Sequence, residues 1–297
     1  MATLEQRGVL LVFASAAVWS FGGAIARYLS VTDSWTAIFW RSVFAGLFLL
    51  GFMLWREGRA GTMQLFRAMG WAGVWVGVCF ATASTCFVVA LGYTTVANIL
   101  LMQAGAPLFA ALAGAVLFRE RIGLPTWLAI AAVIAGVGIM VSDSLAGRVS
   151  PIGDGLALLM SVAVAAATVL TRRHAEVGMM PAVFLGTVIA AAVGGLMAGQ
   201  MQVSATDAAL LFVFGALNLG LGMALFVTGV RLIPAALAAL IGTAEPVLGP
   251  LWVWLVHSEL PGTRTLVGGG VVIAALVLHL AWQFRQQNPA PQVPLMD

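Results

Sequence analysis

The chain has 297 residues, of which 62% are hydrophobic and 8% are charged. A soluble domain is about 45–50% apolar and about 25% charged, so 14 basic and 11 acidic residues are too few to cover the surface of a soluble protein of this length. The composition therefore argues against a soluble enzyme, a disordered chain and a nucleic-acid-binding module, and it indicates a polytopic membrane protein.

Ten apolar stretches follow one another along the chain, and each is long enough to cross a bilayer. They lie at residues 8–29, 34–55, 68–91, 95–117, 124–142, 152–171, 179–200, 207–230, 235–256 and 264–284. The longest predicted loop runs from Arg56 to Arg67. Residues 286–297 include three prolines and are predicted to form a disordered cytoplasmic tail. The sequence thus predicts an all-α polytopic membrane protein with ten transmembrane helices.

The arginines set the predicted orientation, because cytoplasmic loops are enriched in basic residues. With the amino terminus in the cytoplasm, only Arg148 and Arg264 fall in outer loops. The cytoplasmic side then holds Arg7, Arg56, Arg59, Arg67, Arg119, Arg121, Arg172, Arg173, Arg231 and Arg285. We therefore expect a multi-pass protein of a bacterial-type inner (plasma) membrane with both termini in the cytoplasm.

The two halves of the chain resemble each other at constant offsets. Pro107 and Glu120 match Pro246 and Glu259 at an offset of 139 residues, and earlier positions match at an offset of 145. Residues 1–145 are thus predicted to form a first five-helix repeat, and residues 146–285 a second. Because five is odd, the second repeat enters the membrane with the opposite orientation, and such inverted repeats recur among secondary transporters.

Two stretches, one in each half, carry a resemblance to a known family. Leu91–Ile122 reads LGYTTVANILLMQAGAPLFAALAGAVLFRERI, and Val230–Leu260 reads VRLIPAALAALIGTAEPVLGPLWVWLVHSEL. Each combines small residues, a proline within the helix and a glutamate at the helix end, and Ala17–Arg27 and Trp40–Ser42 add further matches. With these motifs the chain resembles the drug/metabolite transporter superfamily, in particular its EamA family. The chain also resembles the YddG-type exporters of aromatic amino acids within this superfamily.

Two charges are predicted deep in the membrane. Glu245 lies ~15 Å from the start of the ninth span, and Arg41 lies ~10 Å from the outer end of the second. A charge at such depth needs a partner, water or a substrate, or it is neutralised. One interpretation is that Arg41 binds a substrate carboxylate while Glu245 binds an ammonium group or a coupling proton. The other is that they pair with each other or with backbone carbonyls as structural residues.

Further polar and aromatic side chains could line a substrate pocket near the midplane. The candidates are Trp19, Phe80, Ser84, Asn98, Met102, Gln103 and Asn218. Asn98 and Met102 share one helical face by their i, i+4 spacing, as do Phe80 and Ser84. The alternative for each of them is a role in packing between helices.

Two prolines lie within otherwise helical spans. Pro107 and Pro246 each remove a backbone hydrogen bond and are predicted to bend the fourth and ninth helices. The bends are either mobile elements that help a cavity alternate or static kinks that neighbouring helices tolerate. Their occurrence once in each half favours a mechanical role.

We expect a secondary transporter that exports amino acids, aromatic ones above all, or similar small amphiphilic metabolites by alternating access. The main alternative is a multidrug or cation exporter that relies on Glu245 and aromatic walls. A nucleotide-sugar or sugar-phosphate exchanger is less consistent with the sequence, because phosphate binding calls for clustered basic residues and the chain has no lysine.

A membrane-embedded enzyme is the least favoured alternative. The three histidines have no metal-ligand spacing, and no hydrolase or phosphate-loop motif is present. We therefore expect no catalytic residue, no metal and no cofactor. The expected partners are a small-molecule substrate and the lipid bilayer, with no nucleic acid and with proton coupling as a hypothesis. The sequence does not fix the oligomeric state, and a monomer is compatible with it.

Overall fold

The structure is a computed structural model that describes residues 4–118, 123–145, 150–174, 178–233 and 235–287. The described residues form helices and no strand, which confirms the predicted all-α class. The α-helices in chain order are Leu4–Ser20, Gly22–Tyr28, Ser34–Ala68, Gly70–Ala90, Val96–Gln103, Ala106–Phe118, Leu124–Leu145, Pro151–Arg173, Met180–Met197, Ala205–Phe212, Gly222–Gly229, Ala235–Gly242, Ala244–His257 and Thr263–Gln287. A π-helix at Val213–Leu221 and a 3₁₀ turn at Val230–Leu232 complete the eighth span.

Within the described residues, nine helical stretches are long and apolar enough to cross a membrane. They correspond in order to spans one to eight and span ten of the prediction. The ninth span is divided into Ala235–Gly242 and Ala244–His257, and each piece is shorter than the ~20 residues that a crossing needs. The ten-helix prediction is therefore approximately supported, with one span made of two short helices.

The second span differs from the prediction, because the expected loop from Arg56 to Arg67 is helical. The helix Ser34–Ala68 continues past the membrane and bends at Gly58, whose φ of 67° and ψ of 179° lie outside the helical region. Glycine tolerates this positive φ without a steric penalty. Beyond the bend, Leu65 and Phe66 are half-buried while the arginines face outward, so the charged stretch forms a surface helix.

Both predicted proline sites interrupt their helices at a defined position. The fourth span breaks after Gln103, and the ninth breaks after Gly242. In each case the break falls four residues before the proline, Pro107 or Pro246, where the proline ring would collide with the helical carbonyl. Each proline then lies in the first turn of the next helix, where a backbone N–H would have no partner within the helix, so the N–H that proline lacks costs nothing.

Several sequence features lie outside the described residues. They are Arg119, Glu120, Arg121, Arg148, the predicted repeat boundary at 146 and the tail residues 288–297. The last described residue before this predicted boundary is Leu145, and the next described helix begins at Pro151.

One end of the bundle is held together by a polar network around Arg27. Its Nε lies 2.8 Å from Oε2 of Glu259, and its two terminal nitrogens donate to the carbonyls of Leu91 and Thr94 at 2.7 and 3.1 Å. The second carboxylate oxygen of Glu259 accepts from the backbone N–H of Val96 at 2.9 Å. This network joins the first span, the start of the fourth and the end of the ninth, and we call this side of the molecule the closed end.

Small residues let the fifth and tenth spans approach closely. A Cβ at Gly136 would lie 2.7 Å from the carbonyl oxygen of Gly268 and 2.9 Å from Cγ2 of Val272. In lipid, such close packing of backbones is a main source of helix association. By contrast, Gly138, two residues further on the same helix, has no neighbour within 4 Å of its Cβ position.

We therefore expect Gly136→Ala to lower the free energy of unfolding by about 1–3 kcal/mol, the usual cost of overpacking. The matched control Gly138→Ala should leave stability unchanged. Thermal unfolding of the purified protein in detergent, followed by tryptophan fluorescence, compares the two variants. Equal midpoints for both would contradict the close contact between these spans.

Candidate functional site

A cavity of about 540 Å³ lies inside the bundle and opens at the end opposite the closed end. Its volume falls in the range of small-molecule binding sites, about 300–1,000 Å³. Among the described residues, spans one to four and six to nine contribute to its wall, so both halves of the chain build it. The paired fifth and tenth spans contribute none of the described lining residues.

The mouth of the cavity is formed by residues at the ends of several spans. Arg56, Glu57, Leu65, Thr171 and Gly178 line it there. The Arg56 Nε lies 3.3 Å from Oε1 of Glu57, and the pair is partly exposed. The residues of the Arg27 network at the other end are not part of the wall. The cavity therefore reaches the surface at the mouth and is closed toward Arg27.

Arg41 projects its guanidinium into the inner part of this cavity. The residue is only 6% exposed, and its Cζ lies 4.2 Å from the ring centroid of Phe214 and 5.9 Å from that of Phe87. One terminal nitrogen donates to Oγ of Ser84 at 2.7 Å. Its Nε has no partner among the described residues. The aromatic rings stabilise the buried cation, while at least one donor stays free.

The eighth span contains a π-helix, Val213–Leu221, which positions the ring of Phe214 next to Arg41. Phe214 and Asn218 both lie in this segment, and π-helical turns are frequent at functional sites. Asn218 donates its Nδ2 to the carbonyl of Val18 at 2.5 Å and to that of Trp19 at 3.3 Å. These carbonyls lie where the first span is interrupted, between Ser20 and Gly22. Asn218 thus satisfies the backbone at that interruption.

Glu245 lines the same cavity as Arg41. It is half-buried in the first turn of the helix Ala244–His257, directly after the break in the ninth span. In the described part of the chain it makes no hydrogen bond, and no ion pair joins it to Arg41. The structural interpretation in which the two charges neutralise each other directly is therefore not observed.

Two further polar atoms in the cavity wall lack a partner among the described residues. They are Nε1 of Trp19, a donor, and Oε1 of Gln103, an acceptor. The Trp19 ring packs against Phe226, with 5.5 Å between the ring centroids. Both atoms are themselves buried, so they do not face the open cavity although their residues line it.

Seven of the nine substrate-site candidates line this cavity. They are Trp19, Arg41, Phe80, Ser84, Gln103, Asn218 and Glu245. Asn98 and Met102 lie outside the wall, so their proposed lining role needs correction. Asn98 donates to Asp154 at 2.5 Å and to Thr94 at 3.0 Å, and Met102 is fully buried in the main apolar cluster. The i, i+4 spacing placed them on one face, but that face packs against other helices.

Other residues at or beside the cavity carried no recognised signal in the sequence. Phe214 lies four residues before Asn218, so the spacing argument applied to Asn98 and Met102 would also have found it. The methionines Met53, Met160, Met179, Met180 and Met223 also line the cavity. No motif marks them, because methionine is equally common in membrane-protein cores.

Comparison with known proteins agrees with this architecture. No curated protein matches the chain, whereas seventeen solved chains do. One of these, described as "Crystal structure of protein", shares 17% sequence identity, has a TM-score of 0.62 and covers 94% of this chain and 98% of its own. At this identity the likeness shows the fold alone.

The family comparison is more specific. The model of the EamA-like transporter family matches twice, at residues 6–142 and at residues 151–281. The two matches correspond to the two halves that sequence self-comparison distinguished, and together they span most of the chain. The resemblance to the drug/metabolite transporter superfamily is thereby confirmed, and the chain belongs to the EamA-like transporter family.

Proposed function

We propose that this transporter exports α-amino acids with apolar side chains, aromatic ones above all, or closely similar amphiphilic metabolites, by alternating access across an inner membrane. The observation that carries the proposal is one cavity lined by two opposite charges, Arg41 and Glu245, neither of which forms an ion pair with a described residue, beside apolar walls. A zwitterionic solute supplies the missing partner to both charges at once.

The chemistry of each group suits one part of such a solute. Arginine binds carboxylates through strong charge-assisted hydrogen bonds, and Arg41 lines the cavity. The carboxylate of Glu245 and the carbonyl of Gln103 accept hydrogen bonds from an ammonium group. The rings of Phe80, Phe87 and Phe226 line the same space, where an aromatic side chain packs with little exposure to water.

Transport assays in liposomes test the proposal directly. Purified protein is reconstituted and the uptake of labelled Phe, Trp, Thr and a quaternary-ammonium drug is measured. We expect Phe and Trp to move fastest, Thr more slowly and the drug least. Movement of none of the amino acids would overturn the proposal, as would conversion of a solute to another compound in detergent without any transport.

A multidrug cation exporter is the second candidate function. Glu245 and the aromatic walls favour it, since such surfaces attract organic cations. The buried guanidinium of Arg41 opposes it, because the low dielectric strengthens repulsion between like charges. Preferential uptake of the quaternary-ammonium drug in the same assay would select this candidate instead.

The role proposed for Arg41 predicts that a substitution there lowers the affinity for solutes that carry a carboxylate. Arg41→Lys retains a charge but loses the planar group that stacks on Phe214 and the Nε donor. We expect the apparent KM for Phe to rise about 10–100-fold, the equivalent of about 1.5–3 kcal/mol for a charged hydrogen bond. Inhibition by phenylethylamine, which has no carboxylate, should not change.

The control is Arg264→Lys, because Arg264 bonds Ser142 at 2.7 Å outside the cavity. It should transport Phe as the unmodified protein does. An Arg41→Lys variant that loses affinity for Phe and phenylethylamine equally would show that Arg41 supports the structure rather than the carboxylate.

Proton coupling is proposed on Glu245 alone. A carboxylate inside the membrane can take up a proton on one side and release it on the other. In Glu245→Gln no proton can be exchanged, so we expect Phe flux to lose its dependence on an imposed pH gradient. The control Glu5→Gln, at the exposed start of the first span, should keep that dependence. A gradient response that survives in Glu245→Gln would remove this part of the proposal.

Alternating access requires the closed end to open while the mouth closes. The mouth carries Arg56 and lies on the side of Arg59, Arg67 and Arg173. Since basic residues favour the cytoplasmic side, we assign the structure to the state open to the cytoplasm. Opening the other side then requires the Arg27–Glu259 pair to separate.

The variant Glu259→Gln should shift the equilibrium toward the opposite state. Reporter cysteines are placed at Ala24, one turn before Arg27 and buried, and at Thr171 in the mouth, with Cys79 and Cys86 replaced by alanine. We expect a membrane-impermeant maleimide to label the Ala24→Cys reporter several-fold faster in Glu259→Gln and the Thr171→Cys reporter more slowly. Unchanged labelling of both sites would show that the ion pair does not control closure.

A further inference from the structure

We propose that this cavity selects its solute by the charged head group and tolerates apolar side chains of very different shapes, because flexible methionines form the wall that meets the side chain. The inference rests on the proposed function and extends it from aromatic amino acids to a wider class. That class comprises α-amino acids with medium or large apolar side chains, whether aromatic, branched or linear.

The wall is unusually rich in one residue type. Five of the 13 methionines in the chain line the cavity: Met53, Met160, Met179, Met180 and Met223. They come from the second, sixth and eighth spans and from the start of the seventh, so they face the cavity from several sides. Methionines on one face of a single helix would line the cavity from one side only.

The methionines lie at different depths relative to Arg41. Arg41 lies seven residues into the second span, about 10 Å from its closed end, and Met160 lies nine residues into the sixth span, about 14 Å from that end. Met53 lies nineteen residues into the second span, about 28 Å from the closed end, and Met223 lies eighteen residues beyond the start of the eighth span at Ala205, about 27 Å from it. A solute whose head group meets Arg41 thus lies beside Met160, and Met53 and Met223 line the cavity between it and the mouth.

Three of the methionines also belong to one packed unit. Met53, Met180 and Met223 are 2%, 7% and 7% exposed and form an apolar cluster with Leu49 and Val183. The half-buried Trp19 and Phe80 pack against this cluster and line the cavity as well. A change of rotamer within the cluster therefore changes the shape of the wall.

Methionine differs from the other apolar residues in how it meets a ligand. Its side chain is unbranched, has three rotatable bonds and a polarizable sulfur, and it fills irregular gaps and contacts aromatic rings favourably. A hydrophobic wall of this kind discriminates weakly between shapes. A site that hydrogen-bonds a polar group, in contrast, rejects analogues without that group by several orders of magnitude. The two parts of the cavity therefore differ in selectivity.

Competition against labelled Phe, with the full chain in liposomes, measures both selectivities. One series varies the side chain: Leu, Met, Phe and Trp. The other varies the head group of Phe: N-acetyl-Phe, Phe methyl ester and phenylethylamine. We expect the four amino acids to compete within about tenfold of one another and each head-group change to weaken competition at least 100-fold. A spread above 100-fold among the four side chains would overturn the inference.

The double variant Met160→Leu with Met223→Leu tests the wall itself. This swap nearly conserves volume and is well tolerated in packed cores, but it replaces flexible chains with branched ones. The spread among the four side chains should widen at least fivefold, while the penalties for head-group changes stay the same. Each single variant is measured alongside, so that a misfolded double variant does not remove the test.

The control is Met197→Leu, because Met197 is 57% exposed at the end of the seventh span and is not part of the wall. It should leave both series unchanged. A well-folded Met160→Leu or Met223→Leu variant with an unaltered side-chain series would overturn the inference while leaving the proposed function intact. If labelled Phe is not transported and none of the amino acids competes, the proposed function is overturned instead.

Discussion

The charge of Arg41 inside the membrane is the constraint on which the other features of the site depend. An isolated cation at this depth is costly, and the surroundings reduce that cost without neutralising the charge. Phe214 and Phe87 face the guanidinium, and Ser84 accepts one of its hydrogen bonds. No carboxylate of the described chain pairs with it, and the proposed solute would supply one.

Several local irregularities serve this arrangement. The π-helix in the eighth span brings Phe214 under Arg41 and lets Asn218 reach the carbonyls of the interrupted first span. The proline break in the ninth span places Glu245 in the first turn of a new helix, next to the cavity. Departures from regular helices are tolerated in membranes where they line a cavity or are buried in protein, and here they surround one cavity.

Symmetry and asymmetry have separate roles in this chain. The scaffold repeats: the family matches both halves, and a proline breaks one helix in each. The charges do not repeat, because the positions that match Arg41 and Glu245 in the other half hold Gly186 and Ala106. A repeated scaffold allows two alternative packings, and unequal side chains allow recognition of an asymmetric solute. The Arg27–Glu259 pair joins the first span to the end of the ninth at the closed end.

The sequence predicted the helices well, because long apolar runs follow directly from bilayer thickness. The prediction was wrong at Arg56–Arg67, where the charges suggested a loop. The segment is a surface helix in which Leu65 and Phe66 are half-buried. The sequence placed Arg41 and Glu245 deep in the membrane without showing that they share a cavity. It misplaced Asn98 and Met102, because helical spacing fixes which residues share a face but not where that face points. The sequence did not predict the methionines of the cavity wall, because only the folded structure shows which methionines line the cavity and which are packed in the core.

A structure of the reconstituted protein with bound Phe tests the central claim most directly. If Arg41 receives the carboxylate of the solute, a carboxylate oxygen of Phe will lie within hydrogen-bond distance of the Arg41 guanidinium, with the ammonium group beside Glu245. A bound Phe whose carboxylate lies away from Arg41, or an Arg41 that pairs with Glu245 while the solute binds elsewhere, would contradict the account.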